Sequence, residues 1–293
     1  MVARRPAHAR PAYADTFFRQ AWRRFRRHKL AVAGAWVIAG LYFMAIFAPW
    51  LAPYDPLALD MAHLREKPSW EHPFGRDEVG RDLLSRIIYG SRIALTVGFV
   101  TAGISLVVGV MCGAVAGYFG GTYDMLLMRL VDSLMAFPTL LLIIAVVAVV
   151  GANLWNVVIA IGLVTWSGYA RVVRATVLSL REQAFVEAAR AVGVGDLRLL
   201  FRHVLPNCLA PVVVLATLNV SSAILLESAL SFLGMGVRPP TPAWGSILGM
   251  GRQYITTAPH ISAFPGIFIT ITVLAFNLVG DGLRDALDPR MKL

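Results

Sequence analysis

The run SLMAFPTLLLIIAVVAVVGANLWNVVIAIGLVTWSGYA, Ser133 to Ala170, carries no charged residue and decides the fold class. A helix crosses the hydrocarbon core of a bilayer with about 20 apolar residues, so this run is too long for one crossing and long enough for two. Gly151, Ala152 and Asn153 suit a tight turn and mark the expected break between them. Four further charge-free runs, Leu30 to Tyr54, Ile93 to Tyr123, Cys208 to Leu226 and Ile261 to Gly280, each suffice for one crossing. The expected spans therefore cover about 30–52, 92–117, 125–150, 154–174, 208–234 and 261–281. Composition agrees: 57% of the 293 residues are hydrophobic and 15% charged, against about 45–50% and about 25% in a soluble domain. The fold class is an all-α polytopic membrane protein with six transmembrane helices.

A net charge of +10 would suggest nucleic acid in a soluble chain, but here its distribution points to topology. With the N-terminus placed in the cytoplasm, eighteen basic residues fall on the inner side, in segment 1–29, between Arg171 and Asn207, and after Gly280. Eight fall outside, six of them from Arg65 to Arg92, offset by seven acids from Asp55 to Asp82. Both termini are expected to be cytoplasmic, and nucleic acid is not an expected partner. A cleaved secretory signal is the competing reading of the N-terminus, but Leu30 to Leu51 exceeds a signal core and no small-residue cleavage site follows. Two cysteines, Cys112 and Cys208, suggest neither a disulfide nor a metal framework.

Several features along the chain have both a structural and a functional reading. In RQAWRRFRRHK, Trp22 and Phe25 sit among cations, as in a helix lying on anionic headgroups or a simple topology anchor. Ser105, Gly109, Gly113, Gly117 and Gly121 recur every four residues, a face that lets another helix approach closely, beside a pathway, at a partner subunit or as ordinary packing. Arg129 and Asp132, three apart on one helix face, are expected to neutralise each other near the cytoplasmic end of the third span. Glu227, toward the outer end of the fifth span, is a candidate vestibule or interface group, with Asn219, Ser221 and Ser222 as further polar positions.

The segment 175–207 is longer than a helix connection requires. Phe185, Ala188, Ala189 and Val192 fall at i, i+3, i+4 and i+7; Gly193 and Gly195 interrupt; then Leu197, Leu200, Phe201 and Val204 repeat the spacing. Asp196 is the expected N-cap of the second helix and Pro206 its expected end, while Glu187 is placed to pair with Arg190. A short amphipathic helix of this kind suits the groove of a soluble partner. A helix lying on the membrane surface is the other reading.

No P-loop fits, because none of Lys29, Lys67 and Lys292 follows a glycine, and neither H-E-x-x-H nor G-x-S-x-G occurs. Any energy for active transport must come from another chain or an ion gradient. A gradient-driven carrier would be expected to place ionisable groups at the midplane in repeated halves, and Asp132 and Glu227 are the only intramembrane acids read here.

Glu187, Ala188 and Ala189, Gly193 after three intervening residues, and the closing Leu205 and Pro206 resemble the EAA motif of bacterial ABC importer permeases. His203 departs from the usual aliphatic residue two before the closing leucine, in the manner of the peptide permeases. FGRDEVGRDLLSRIIYGSR (Phe74–Arg92), ESALSFLGMGVRPPTPAWG (Glu227–Gly245) and NLVGDGLRDALDPR (Asn277–Arg290) are similar to the C-type permeases of dipeptide, oligopeptide and nickel importers. The resemblance implies a type I importer permease fold in a bacterial or archaeal inner membrane. It also implies a homologous B-type permease, two cytoplasmic ATPase subunits that hold ATP and Mg, and an extracytoplasmic substrate-binding protein as partners. The chain itself would hold no cofactor and no catalytic residue. Phe185, Glu187, Ala188, Ala189, Gly193, Leu205 and Pro206 are then the candidate ATPase-coupling residues, and Gly109, Gly113, Gly117, Arg129, Asp132, Asn219 and Glu227 the candidates for pathway or packing. Short peptides lead as the expected solute, ahead of nickel or another small solute.

Overall fold

A computed structural model describes residues 17–287, so the first sixteen residues and the Asp288–Arg290 end of the third motif lie outside the described residues. Twelve α-helices account for most of these residues, and no strand occurs among them. In chain order they are α1 (Phe17–Arg27), α2 (Lys29–Ile46), α3 (Ala48–Leu51), α4 (Leu83–Phe119), α5 (Gly121–Ala136), α6 (Thr139–Val150), α7 (Leu154–Arg181), α8 (Ala184–Ala191), α9 (Asp196–Leu199), α10 (Leu209–Phe232), α11 (Trp244–Gly251) and α12 (His260–Leu287). Among the described residues five helical stretches are long and apolar enough to cross a bilayer, and six if α5 and α6 are taken as one bent span.

That bend corrects the third expected span. Instead of one rod over 125–150, α5 and α6 meet at 94°. Phe137 (φ −95°, ψ 143°) and Pro138 (φ −57°, ψ 120°) form the corner. Proline has no amide hydrogen to donate, and its ring pushes the preceding residue out of the helical region, so two adjacent residues leave the helix together. The expected break at Gly151–Asn153 is also present: Gly151 takes φ +95°, and the Asn153 side chain caps α7 by accepting from the Asn156 amide.

α4 spans 37 residues, about 55 Å, longer than a bilayer is thick. Asp82 caps its start, accepting from the Ser85 amide at 2.7 Å. It runs parallel to α7, and the small-residue stripe lies on that contact. A Cβ on Gly113 would stand 2.5 Å from the Ala170 carbonyl oxygen and 2.9 Å from Val173 Cβ; one on Gly117 would stand 2.8 Å from the Arg174 oxygen; one on Gly109 would meet Trp166 and Tyr169. Ser105 starts the seam by donating to the Gly162 oxygen at 3.1 Å. Gly121 stands outside it, with nothing within 4 Å of its added Cβ. α12 packs against α2 and α10 in the same manner, Gly34 lying on Ala275 and Gly280 on Leu218. Exposed Trp36, Phe43, Phe99, Val107 and Val149 clothe the outside in apolar surface, as lipid requires. α1 folds back onto the end of α12 through buried Ala21, Phe25 and Ala286.

Replacing Gly113 by Leu is expected to destabilise the protein by about 1–3 kcal/mol or more, because the α4–α7 contact has no room for a side chain. Gly103→Leu, where nothing lies within 4 Å, should leave it unaffected. Thermal unfolding of both variants in detergent, followed by size-exclusion chromatography, checks this; equal midpoints would refute it.

Candidate functional site

Segment 182–208 sits where α4 and α7 end and α10 begins, and its residues divide between two surfaces. Val186, Leu199, Leu200, Val204 and Cys208 are buried with Ala114, Tyr118, Val173 and Val177, fastening the segment to α4 and α7. The Tyr118 hydroxyl donates to Asp196 Oδ1 at 2.7 Å and Arg181 Nη1 to the Tyr118 carbonyl at 3.0 Å. Facing away, Phe185, Glu187, Ala188, Val192, Leu197 and Phe201 are exposed, with Val192 at 80% and Leu197 at 65%. Gly193 takes φ +83°, which only glycine adopts without strain, and lets the Val194 amide bond back to the Ala189 carbonyl at 3.1 Å.

The expected stripe is thus split: Phe185, Ala188 and Val192 point outward and Ala189 is half-buried. The residue that anchors α8 is Val186, which its spacing hid because α8 is apolar on both sides. Asp196 is not the N-cap; Gly195 stands there, and the Asp196 carboxylate is taken by Tyr118. Glu187 and Arg190 form no ion pair, and Arg190 faces the Tyr118 hydroxyl and Asp196 instead.

Pro206 does not end the second helix. Asp196 to Phe232 is one continuous helical path, with a π-turn over Leu200–Val204 and a 3-10 turn over Leu205–Cys208. Proline offers no hydrogen to the carbonyl four residues back, so the ladder widens before it and tightens after it. The Asn207 side chain donates to the His203 carbonyl at 2.6 Å, supplying one of the displaced bonds.

The opposite end of the bundle is closed by the segment 52–82, where the FGRDEVGRDLLSR motif forms a buried ion cluster. Asp77 is fully buried, accepts from Arg81 Nε at 2.6 Å and faces Arg86 Nε at 3.3 Å, while Arg81 also bonds Glu78 at 3.0 Å. Two carboxylates and two guanidiniums balance. Burial, and then the neighbouring Asp77, raise the Glu78 carboxyl above its ordinary range, and the His63 hydrogen bond holds the half-buried Asp60 below it. His72 bonds Asp82 at 2.8 Å, and Arg86 Nη1 reaches the Pro56 carbonyl at 3.1 Å. Trp244 of α11 donates to the Ile87 carbonyl at 2.9 Å, tying the Glu227–Gly245 motif to this cap.

Glu227 lines no vestibule in this chain. It is 1% exposed and accepts from Ser231 Oγ at 2.6 Å, while Ser231 Oγ in turn accepts from the Val237 amide at 3.1 Å, so Glu227 braces the turn that leads to α11. Asn219 lies in α10, its Oδ1 buried without a partner, and Ser221 donates to Asn277 at 2.7 Å across to α12, with Ser222 exposed. Gly109, Gly113 and Gly117 serve packing within the chain. The expected Arg129–Asp132 pair is replaced: Asp132 bonds Arg171 of α7 at 2.5 Å, and Asp124 pairs with Arg174. α7 runs antiparallel alongside α5, so its arginines reach Asp132 from a neighbouring helix; an arginine placed just beyond the long uncharged run was the available signal. Among the described residues no group of three or more His, Cys, Asp and Glu side chains is arranged to hold a metal.

Residues 109–293 match the family model described as binding-protein-dependent transport system inner membrane component, and residues 16–68 that of the N-terminal TM domain of oligopeptide transport permease C. The chain is 46% identical over 275 residues to a dipeptide transport system permease protein, DppC, of Alkalihalophilus pseudofirmus, covering 94% of this chain and 90% of the relative. It is 47% identical over 277 residues to a di/tripeptide transport system permease of Pseudomonas aeruginosa (92% and 91%), and 44% identical over 284 to a glutathione transport system permease, GsiD, of Escherichia coli (97% and 94%). In fold it is similar to a chain of the MetNI methionine ABC transporter in an inward-facing form, with TM-score 0.59 at 18% identity, over 70% of this chain and 98% of that one.

Asp77→Asn should leave two buried guanidiniums short of a counter-charge, at a cost of about 3–5 kcal/mol. The expected outcome is cleavage of the 52–82 segment by added protease in proteoliposomes where the unaltered protein resists; unchanged resistance would refute the role of the cluster.

Proposed function

Because the chain belongs to the family of binding-protein-dependent transport system inner membrane components, we propose that it is one of two permease subunits in an ATP-driven importer of short peptides. The peptide class is supported by the dipeptide, di/tripeptide and glutathione permeases that it resembles at 44–47% identity. Its partners in this reading are a homologous permease, two ATPase subunits that bind ATP and Mg, and an extracytoplasmic binding protein that presents the peptide. The termini and the 182–208 segment face the cytoplasm, in line with the excess of basic residues on that side. The chain carries out no chemistry of its own.

The observation that carries the proposal is the two-sided 182–208 segment. Its outward side, Phe185, Val192 and Leu197, is an apolar surface of the size that fills a groove on a soluble subunit. Its inward side is packed against α4 and α7, and its second half runs without interruption into α10. When the ATPase subunits close on ATP, the groove moves and carries the segment with it. The displacement then passes to three spans at once, which repack between two states. Gly193 permits the sharp turn between the docking helix and the helix that transmits its motion.

Gly193→Leu forces a side chain into the left-handed region at about 1–2 kcal/mol, and Glu187→Lys reverses a charge on the exposed docking surface. In the reconstituted complex both are expected to reach the membrane normally yet lower peptide uptake by about tenfold or more, since loss of a docking anchor costs about 2 kcal/mol. ATP hydrolysis should no longer respond to peptide-loaded binding protein. Wild-type uptake and stimulated hydrolysis in both variants would overturn the coupling role, and absence of ATP-dependent peptide uptake by the unaltered complex would overturn the importer reading.

A further inference from the structure

We propose that Arg129, Asp132 and Arg171 line the water-filled route through the membrane, and that Arg129 is the group that meets the carboxylate of a passing peptide. The proposal rests on the importer reading for the identity of the solute, but the existence of a wet face does not.

The Asp132–Arg171 pair lies ten residues before Arg181 in α7 and eleven after Gly121 in α5, about 15 Å from that end of the bundle by either helix. At this depth in a hydrocarbon core about 30 Å thick the surroundings should be lipid or protein. Yet Arg171 is 49% and Asp132 64% exposed, and Arg129, one turn away from Asp132 on the same face, is exposed with no ion pair among the described residues. An ionised side chain facing lipid costs about 2.5–3.5 kcal/mol on insertion scales. Elsewhere within the spans Phe43, Phe99, Val107 and Met111 are exposed and apolar, and the exposed polar residues Ser222 and Thr270 are uncharged.

The neighbours of the charged groups have the character of a lined passage. On α7 the exposed positions Gly168, Arg171, Ala175 and Ser179 form one helical face, and on α5 so do Arg129, Asp132, Ser133 and Ala136. The two faces are joined by the Asp132–Arg171 bond and at this level present small, polar or charged groups, with exposed Met125 and Leu126 one turn nearer the end of the bundle. Two guanidiniums and one carboxylate leave one positive charge on this layer, and Arg129 holds it. A peptide carries a carboxylate at its C-terminus, which an unpaired guanidinium attracts without the closed, many-sided site that would trap it.

The test uses the whole complex, reconstituted in proteoliposomes, with Cys112→Ser and Cys208→Ala replacing the native thiols. Ser133→Cys and Ala175→Cys are exposed to membrane-impermeant methanethiosulfonates, one anionic and one cationic, with Val107→Cys as the lipid-facing reference. Modification at 133 and 175 is expected to be about tenfold or more faster than at 107, and the anionic reagent to be favoured about tenfold at 133. Adding Arg129→Ala should abolish that preference, and Arg129→Lys should retain it. Modification no faster than at 107, or crosslinking of position 175 to the second permease without modification, would overturn the wet face. Fast modification without a charge preference that depends on residue 129 would overturn the role of Arg129. Failure of the unaltered complex to import peptide leaves all these readouts intact, so it would count against the importer reading alone.

Discussion

Backbone contact between α4 and α7 is the constraint from which the rest of the architecture follows. Lipid gives helices no hydrophobic reason to associate, so association must come from close approach, and Gly109, Gly113 and Gly117 provide it by leaving nothing between the two backbones. Parallel helices in one chain need a long return connection, and α5 with α6 supplies it. Because α7 is held beside α4 along this seam, both helices end side by side, and the segment that follows has a prepared floor of Ala114, Tyr118, Val173 and Val177 on which to fold. The glycine stripe therefore acts on function at a distance. It touches no solute and no partner in this chain, but it sets where the docking surface stands.

The two ends of the bundle solve the same problem with different chemistry. At one end the 52–82 segment is fixed by charges paired with opposite charges, Arg86 and Glu78 keeping buried polar atoms without a hydrogen bond, and Gly75 and Gly80 take positive φ where the chain passes close to Glu66 and Asp60. At the other end the 182–208 segment is fixed by apolar contacts and leaves its other side uncovered. A cluster of paired charges tolerates little rearrangement, because moving one group strands another. Apolar packing with a glycine turn and a widened helical turn tolerates more. A rigid lid and a compliant connection thus follow from the residue types alone.

Hydropathy and turn chemistry made much of the fold legible, since a charge-free run leaves a chain few choices in lipid. The Phe137–Pro138 corner is hidden inside an unbroken apolar run, although proline excludes both itself and its predecessor from a helix. The break at Gly151–Asn153 is legible because asparagine and glycine act within a few residues. Helical spacing in the docking segment is legible, but which side faces out is not: Leu200 and Val204 share a stripe with exposed Leu197 and Phe201 yet are buried, and Val186 is chosen by the floor beneath it, which belongs to helices far away in sequence. The same holds for charge. Spacing pairs Asp132 with Arg129, a neighbour along the helix, whereas the structure gives it Arg171, and no pattern within α5 contains that information.

The widened and tightened turns between Leu200 and Cys208 have a mechanical consequence. A regular α-helix twists only by breaking its ladder, but here Pro206 has already removed one donor and the ladder has accommodated the loss. This segment can therefore change its pitch at lower cost than the helix on either side of it. It is a torsion joint built into an otherwise stiff shaft, and the angle at which the shaft enters the membrane is free to differ from the angle at which it is pushed.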